Sequence, residues 1–221
     1  MFRSFAVLMK NNKFFFAFIA LFVLASFCFL ALYSKEAGFV MLNPYHSRFL
    51  DKLFYFFTKL GNGWCMIIVA AIYFLLNRKK VALLVISSFL LSGLVAQVLK
   101  YIFPEARPGV LLEKSSYPYF IQHVTLHSYS SFPSGHSASA FAMAAVLAFY
   151  FPNKWWGVPL LIYACLVGYS RIYLGDHFLL DVLSGAVIGV VSAVVCWVGI
   201  ERKFTTKKHK DFAQGTQREK P

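Results

Sequence analysis

Eight residues in three separated blocks carry the chemistry this sequence can offer: Lys100 and Arg107, then Ser134, Gly135 and His136, then Arg171, His177 and Asp181. Three permanent cations beside two imidazoles and a carboxylate suit a bound phosphate with acid and base groups next to it. His177 and Asp181 are four residues apart, so at the start of a helix they share a face. The carboxylate can take the proton of one ring nitrogen and leave the other free to attack. Pro133-Ser134-Gly135-His136 reads as a helix opening, where a hydroxyl and unpaired N–H groups meet a positive dipole end and glycine permits close approach of phosphate oxygens. The same Pro-Ser-Gly run also serves as a plain helix cap. Taken singly, each cation has a bland role, since a lysine or arginine at a helix end commonly snorkels to lipid headgroups. Grouped where helices meet an interface, ionisable groups are too costly to be left unpaired and without a role.

The elements that must position them are apolar. Of 221 residues, 59% are hydrophobic, 19% aromatic and only 14% charged, with a mean hydropathy of +0.62. This composition fits no ordinary soluble fold and excludes a disordered chain. A helix needs about 20 apolar residues to cross a bilayer core, and six runs approach that length. They are Phe14 to Tyr33, about Leu60 to Leu76, Val81 to Leu99, about His136 to Phe151, Trp155 to Tyr169, and Phe178 to Ile200. The fold expected is all-α, with six transmembrane helices. Residues 1–200 form the membrane domain, and 201–221 a mobile basic cytoplasmic tail without apolar period. The second and third runs are joined by Asn77-Arg78-Lys79-Lys80 as a tight hairpin, and Phe151 to Trp155 makes a second short turn.

The formal charge of +13 would suggest a polyanion partner in a soluble protein. Here the termini and the turns at Arg78–Lys80 and Lys154 carry fourteen of the 22 Lys and Arg, and the opposite side carries eight. The positive-inside rule then places both termini in the cytoplasm, and the long loops at 34–59 and 100–135 outside. The charge is topological and meets anionic headgroups, so no nucleic-acid partner is needed. Lys100, Arg107, His136, Arg171, His177 and Asp181 fall at the outer ends of the third, fourth and sixth helices. Cys28, Cys65, Cys165 and Cys196 lie far apart in apolar runs, as buried small residues rather than a zinc or disulfide framework.

In order, the blocks read Lys100-x6-Arg107-Pro108, Pro133-Ser134-Gly135-His136 and Ser170-Arg171-x5-His177-x3-Asp181. This resembles the three-part motif of the type 2 phosphatidic acid phosphatase superfamily, with every position filled. Six spans are similar to its membrane lipid phosphate phosphatase branch. The resemblance implies His177 as the nucleophile of a phosphohistidine intermediate, Asp181 orienting it and His136 as general acid to the leaving oxygen. It implies Lys100, Arg107, Ser134, Gly135 and Arg171 as phosphoryl ligands in place of a metal. No cofactor is expected.

Asp176 and Glu105 fall outside the motif and read as interface acids or acids behind the site. His123 and His127 are four apart without a third ligand at a matching spacing, which disfavours a metal pair. Tyr117, Tyr119, Phe120, Tyr129 and Phe132 read as an aromatic belt at the entrance. The expected partner is a lipid phosphate in the inner membrane: undecaprenyl diphosphate, phosphatidylglycerol phosphate, phosphatidic acid or a lipid A phosphate. A phosphotransferase would use the same residues. A non-catalytic lipid-phosphate transporter or binding protein would not need an imidazole oriented by a carboxylate.

Overall fold

The computed structural model describes residues 2–112, 117, 119 and 130–218, and the side chains of 4–112, 117, 119 and 130–201. Helices make up 81% of it, and no strand occurs among the described residues. In chain order they are α1 (Phe2–Asn11), α2 (Lys13–Leu32), α3 (Lys35–Leu42), α4 (Arg48–Leu60), α5 (Gly63–Leu75), α6 (Lys79–Ile102), α7 (Pro108–Leu111), α8 (Gly135–Tyr150), α9 (Gly157–Tyr173) and α10 (Leu179–Arg218). Three are long and apolar enough to cross a bilayer: α2, α6 and the Leu179–Glu201 part of α10. The pair α4 and α5 meets that test jointly, bent by 56° at its break. The chain is an integral membrane protein.

Helix α8 is the centre of the bundle. Every residue from Ser137 to Phe149 is buried, as befits a helix that is apolar or small all round. Backbones approach closely on its α10 side. A Cβ at Gly185 would lie 2.4 Å from the Ser134 carbonyl oxygen, and one at Gly189 would lie 2.3 Å from that of Ala138. Two glycines four apart thus form the small-residue stripe that brings membrane helices together. The stripe begins where α8 begins, so it also sets the distance between the Ser134–His136 block and the first turn of α10.

Two expectations are corrected. The segment 34–59, read as a long loop, holds α3 and α4, capped by Ser34 Oγ accepting from Ala37 N (3.3 Å) and Ser47 Oγ accepting from Leu50 N (3.2 Å). A search for runs of about 20 apolar residues passes over short amphipathic helices such as α4, which buries Phe54 against Tyr173 and Leu174 and leaves Tyr55 and Phe56 exposed. The second apolar run does not begin at Leu60. Leu60 ends α4, and Asn62 caps α5 by accepting from Trp64 N at 3.4 Å. Helix α10 continues past Glu201 to Arg218. Lys, Gln, Glu and Arg are good helix formers, so helix can persist there without an apolar face.

Candidate active site

The turn between α9 and α10 and the first turn of α10 bring His177 and Asp181 together. His177 Nδ1 faces Asp181 Oδ2 at 3.5 Å, with the two side chains 2% and 0% exposed. The same carboxylate oxygen accepts from Ser131 Oγ at 2.5 Å and from the Phe178 N–H at 2.9 Å, so it also caps the helix that carries it. Ser131 Oγ lies 3.5 Å from His177 Nδ1, giving the ring a second oxygen on that side. A proton held on Nδ1 by these acceptors leaves the lone pair on Nε2. Burial pulls the His177 imidazole down to about 4, against the opposing effect of the hydrogen bond it donates to Asp181, so the ring is neutral at neutral pH.

Behind the pair, Asp176 joins two arginines. Arg107 Nη1 is 3.0 Å from Asp176 Oδ1 and Arg171 Nη2 is 2.7 Å from Oδ2, all three residues being buried. Arg171 Nη1 also donates to Thr58 Oγ1 at the end of α4. Two buried guanidiniums side by side repel and are costly to desolvate, and a shared carboxylate offsets both effects. Arg171 Nε and Asp181 Oδ1 have no hydrogen-bond partner among the described residues.

Lys100, at the end of α6, donates from Nζ to the Ser130 carbonyl at 2.8 Å. Ser134 is the N-cap of α8, accepting from Ser137 N (3.3 Å) and Ser137 Oγ (2.9 Å). Its hydroxyl oxygen is therefore occupied as a cap, which supports the plain reading of Pro-Ser-Gly for that atom. A Cβ on Gly135 would meet nothing within 4 Å, so open space lies over this helix opening. His136 and Lys100 line one cavity of about 250 Å³ with Gly61, Gly93, Gln97 and Gly135. His136 lies within electrostatic reach of Arg171, His177, Lys100 and Arg107.

Backbone bonds tie the three blocks together. Ser131 N donates to the Glu105 carbonyl (3.0 Å) and Ser134 N to the Asp181 carbonyl (2.9 Å), while Arg107 reaches the Asp176 carbonyl (3.4 Å). All eight sequence-derived residues thus fall in one neighbourhood. Asp176 proves to be the bridge between the arginines. Glu105 pairs with Lys35, whose Nζ also sits 4.6 Å from the Phe178 ring centroid. Sequence reasoning missed Ser131 and Thr58, whose contacts span 50 and 113 residues and follow no local period. Tyr117 was expected in a belt but is buried, with its ring against Phe39. His123, His127, Phe120 and Tyr129 lie outside the described residues. Among the described residues, no three His, Cys, Asp or Glu gather as a metal site.

The chain is 32% identical over 165 residues to a lipid A 4'-phosphatase of Porphyromonas gingivalis, covering 69% of this chain and 67% of that one. It is 29% identical over 179 residues to an undecaprenyl-diphosphatase of Sulfolobus acidocaldarius, covering 76% and 84%. The crystal structure of LpxE from Aquifex aeolicus superposes with a TM-score of 0.62 at 32% identity, over 72% of this chain and 91% of that one. A transmembrane PAP2-type phosphatidylglycerolphosphate phosphatase from Bacillus subtilis gives 0.61 at 26% identity, over 88% and 98%. The model of the PAP2 superfamily matches residues 81–205, a stretch that begins in α6, ends in α10 and contains all three blocks. A buried imidazole and carboxylate ringed by cations, in a bundle shared with these proteins, belongs to a member of the PAP2 superfamily.

Proposed function

We propose that this protein is a membrane phosphatase that removes the terminal phosphate of a lipid phosphate or diphosphate through a phosphohistidine. The observation that carries the reading is His177 held neutral beside Asp181, with Arg107 and Arg171 ordered on the other side by Asp176. In this mechanism His177 Nε2 forms a bond to phosphorus as the bond to the lipid oxygen breaks, and His136, which takes up a proton once the negative charge of the phosphate is bound beside it, gives that proton to the lipid oxygen. His136, now neutral, then takes a proton from water. The resulting attack breaks the phosphorus–nitrogen bond, releases phosphate and restores His177. Lys100, Arg107, Arg171 and the N–H groups at Gly135 stabilise the charge on the phosphoryl oxygens, without a metal ion. The unpartnered Nε of Arg171 is one donor that such an oxygen satisfies.

The activities of the relatives, with phosphatidic acid added, define the substrates to compare. Phosphate release by the purified protein is measured with undecaprenyl diphosphate, phosphatidylglycerol phosphate, phosphatidic acid and lipid A. Release from at least one is expected to be insensitive to EDTA and blocked by vanadate, which can take a trigonal bipyramidal form on His177. Loss of activity on chelation, restored by zinc or magnesium, would contradict the metal-free mechanism.

The proposed topology has six crossings of the inner membrane, with both termini cytoplasmic and the site at the outer ends of the third, fourth and sixth spans. The 16-residue α8 and 17-residue α9 are short for a span, at about 24–26 Å. Both pack inside the bundle, where neighbours rather than lipid set the length needed. In a background lacking the native cysteines, Tyr45→Cys, at a position 79% exposed between α3 and α4, is expected to react with an impermeant maleimide in intact cells. Thr216→Cys should react only after lysis. The reverse pattern would move the site to the cytoplasmic face.

A further inference from the structure

The turn that carries the chemistry is short. The Arg171 carbonyl accepts from both the Asp176 and His177 N–H groups (3.0 and 3.1 Å), and Gly175 stands at φ 74°. Arg171, Asp176 and His177 are therefore tied into one hydrogen-bonded turn. Within the turn, Gly175 N donates to the Ile172 carbonyl at 2.9 Å. From outside it, the fully buried Asn43 at the end of α3 donates from Nδ2 to the carbonyls of Ile172 (3.1 Å) and Tyr173 (3.2 Å).

Asn43 is itself held from several sides. His46 Nε2 lies 3.1 Å from its Oδ1 and 2.6 Å from Tyr117 Oη, and Tyr117 Oη donates to the Asn43 carbonyl at 3.4 Å. The His46 ring stacks between Tyr173 (centroids 4.2 Å apart) and Tyr119 (5.1 Å). Tyr173 Oη donates to Asp51 of α4 at 2.6 Å. An amide this deep with satisfied donors serves either general stability or the placement of what it holds. Here it holds the last carbonyls of α9, four and five residues before the nucleophile.

We propose that Asn43 is a positioning residue for catalysis, fixing the turn from Arg171 to His177 by its bonds to the Ile172 and Tyr173 carbonyls. The inference rests on the phosphohistidine reading. Asn43 acts through that turn and does not touch the substrate. Displacing a nucleophile by about 1 Å can cost about 100-fold in rate while leaving substrate binding largely intact.

The test measures kcat and KM of the full chain in mixed micelles, with phosphatidic acid as the common probe and the best substrate of the panel beside it. It also measures the rate of phosphoenzyme formation and the melting midpoint. Asn43→Ala and Asn43→Asp remove the donor, and both are expected to lower kcat by about 10- to 100-fold with KM within about twofold and phosphoenzyme formation slowed in step. Asn43→Gln keeps the amide but misplaces it, and provides the reading if the harsher variants do not fold. Tyr169→Phe is the control. It removes the 2.8 Å bond to the neighbouring Leu42 carbonyl without touching the turn carbonyls, and kcat should hold. Unchanged kcat in a folded Asn43 variant, or an equal loss in Tyr169→Phe at a matching melting midpoint, would overturn the positioning role. Wild-type protein that turns over lipid phosphate but forms no phosphohistidine would instead overturn the mechanism on which the inference stands.

Discussion

His177→Ala is expected to lower lipid phosphate hydrolysis by at least about 10⁴-fold, while the protein still inserts and still binds lipid phosphate. The imidazole is the attacking group in the proposed mechanism, and its loss leaves Asp181 paired only with the Ser131 hydroxyl and the Phe178 N–H. Protein incubated with labelled substrate and denatured in detergent at alkaline pH should carry an acid-labile, alkali-stable phosphoryl group in the wild type and none in the variant. The acid limb of the wild-type profile follows from the same residue. A group lowered to about 4 is deprotonated and able to attack above that pH, and loses this ability as the pH falls through it. The contribution of His177 to kcat/KM should therefore hold across pH 5 to 7, and an acid limb near the ordinary imidazole value would have to come from another group. Full hydrolysis by His177→Ala would remove covalent catalysis from the mechanism.

Asp176→Asn is expected to be damaging by a different route, through stability as well as rate. The change keeps the side chain's size but removes the charge between Arg107 and Arg171, at 3.0 and 2.7 Å. Breaking a buried ion pair from one side costs about 3–5 kcal/mol, because the remaining charges stay desolvated. Two arginines left facing each other should also turn away from the geometry a phosphoryl group requires. The expected result is a lowered melting midpoint and a loss of about 100-fold in kcat/KM, with inorganic phosphate inhibiting more weakly. An Asp176→Asn protein with full activity and tighter phosphate inhibition would show that the carboxylate merely competes with the substrate for the arginines.

Much of the site is legible from types and spacing. His177 and Asp181 are four residues apart at a helix start, and that local period suffices to pair them. The helix-opening character of Ser134-Gly135 follows from turn chemistry alone. Composition and charge are sufficient for an all-helical membrane protein, because the bilayer leaves no other partner for backbone polar groups inside one chain segment. Membership of the PAP2 superfamily is likewise visible in three blocks whose internal spacings are all present.

The functions of Asp176, Ser131, Thr58 and Asn43 are not legible in this way. An aspartate next to the proposed nucleophile, His177, has no period that says which cations it will meet. That Asp176 joins Arg107 and Arg171 depends on the start of α7 docking against the turn between α9 and α10. Ser131 reaches Asp181, Thr58 reaches Arg171 and Asn43 reaches Tyr173 across 50, 113 and 130 residues. Helices α3 and α4 escape a span search because they are too short to cross a membrane and matter for what they hold. Local sequence determines which side chains share a helix face or cap a helix end, since those relations repeat every three or four residues. Tertiary packing, through the close approach of α8 to Gly185 and Gly189 and the seating of α3 and α4 against the end of α9, decides which distant polar groups meet, because those distances are set only when the helices dock.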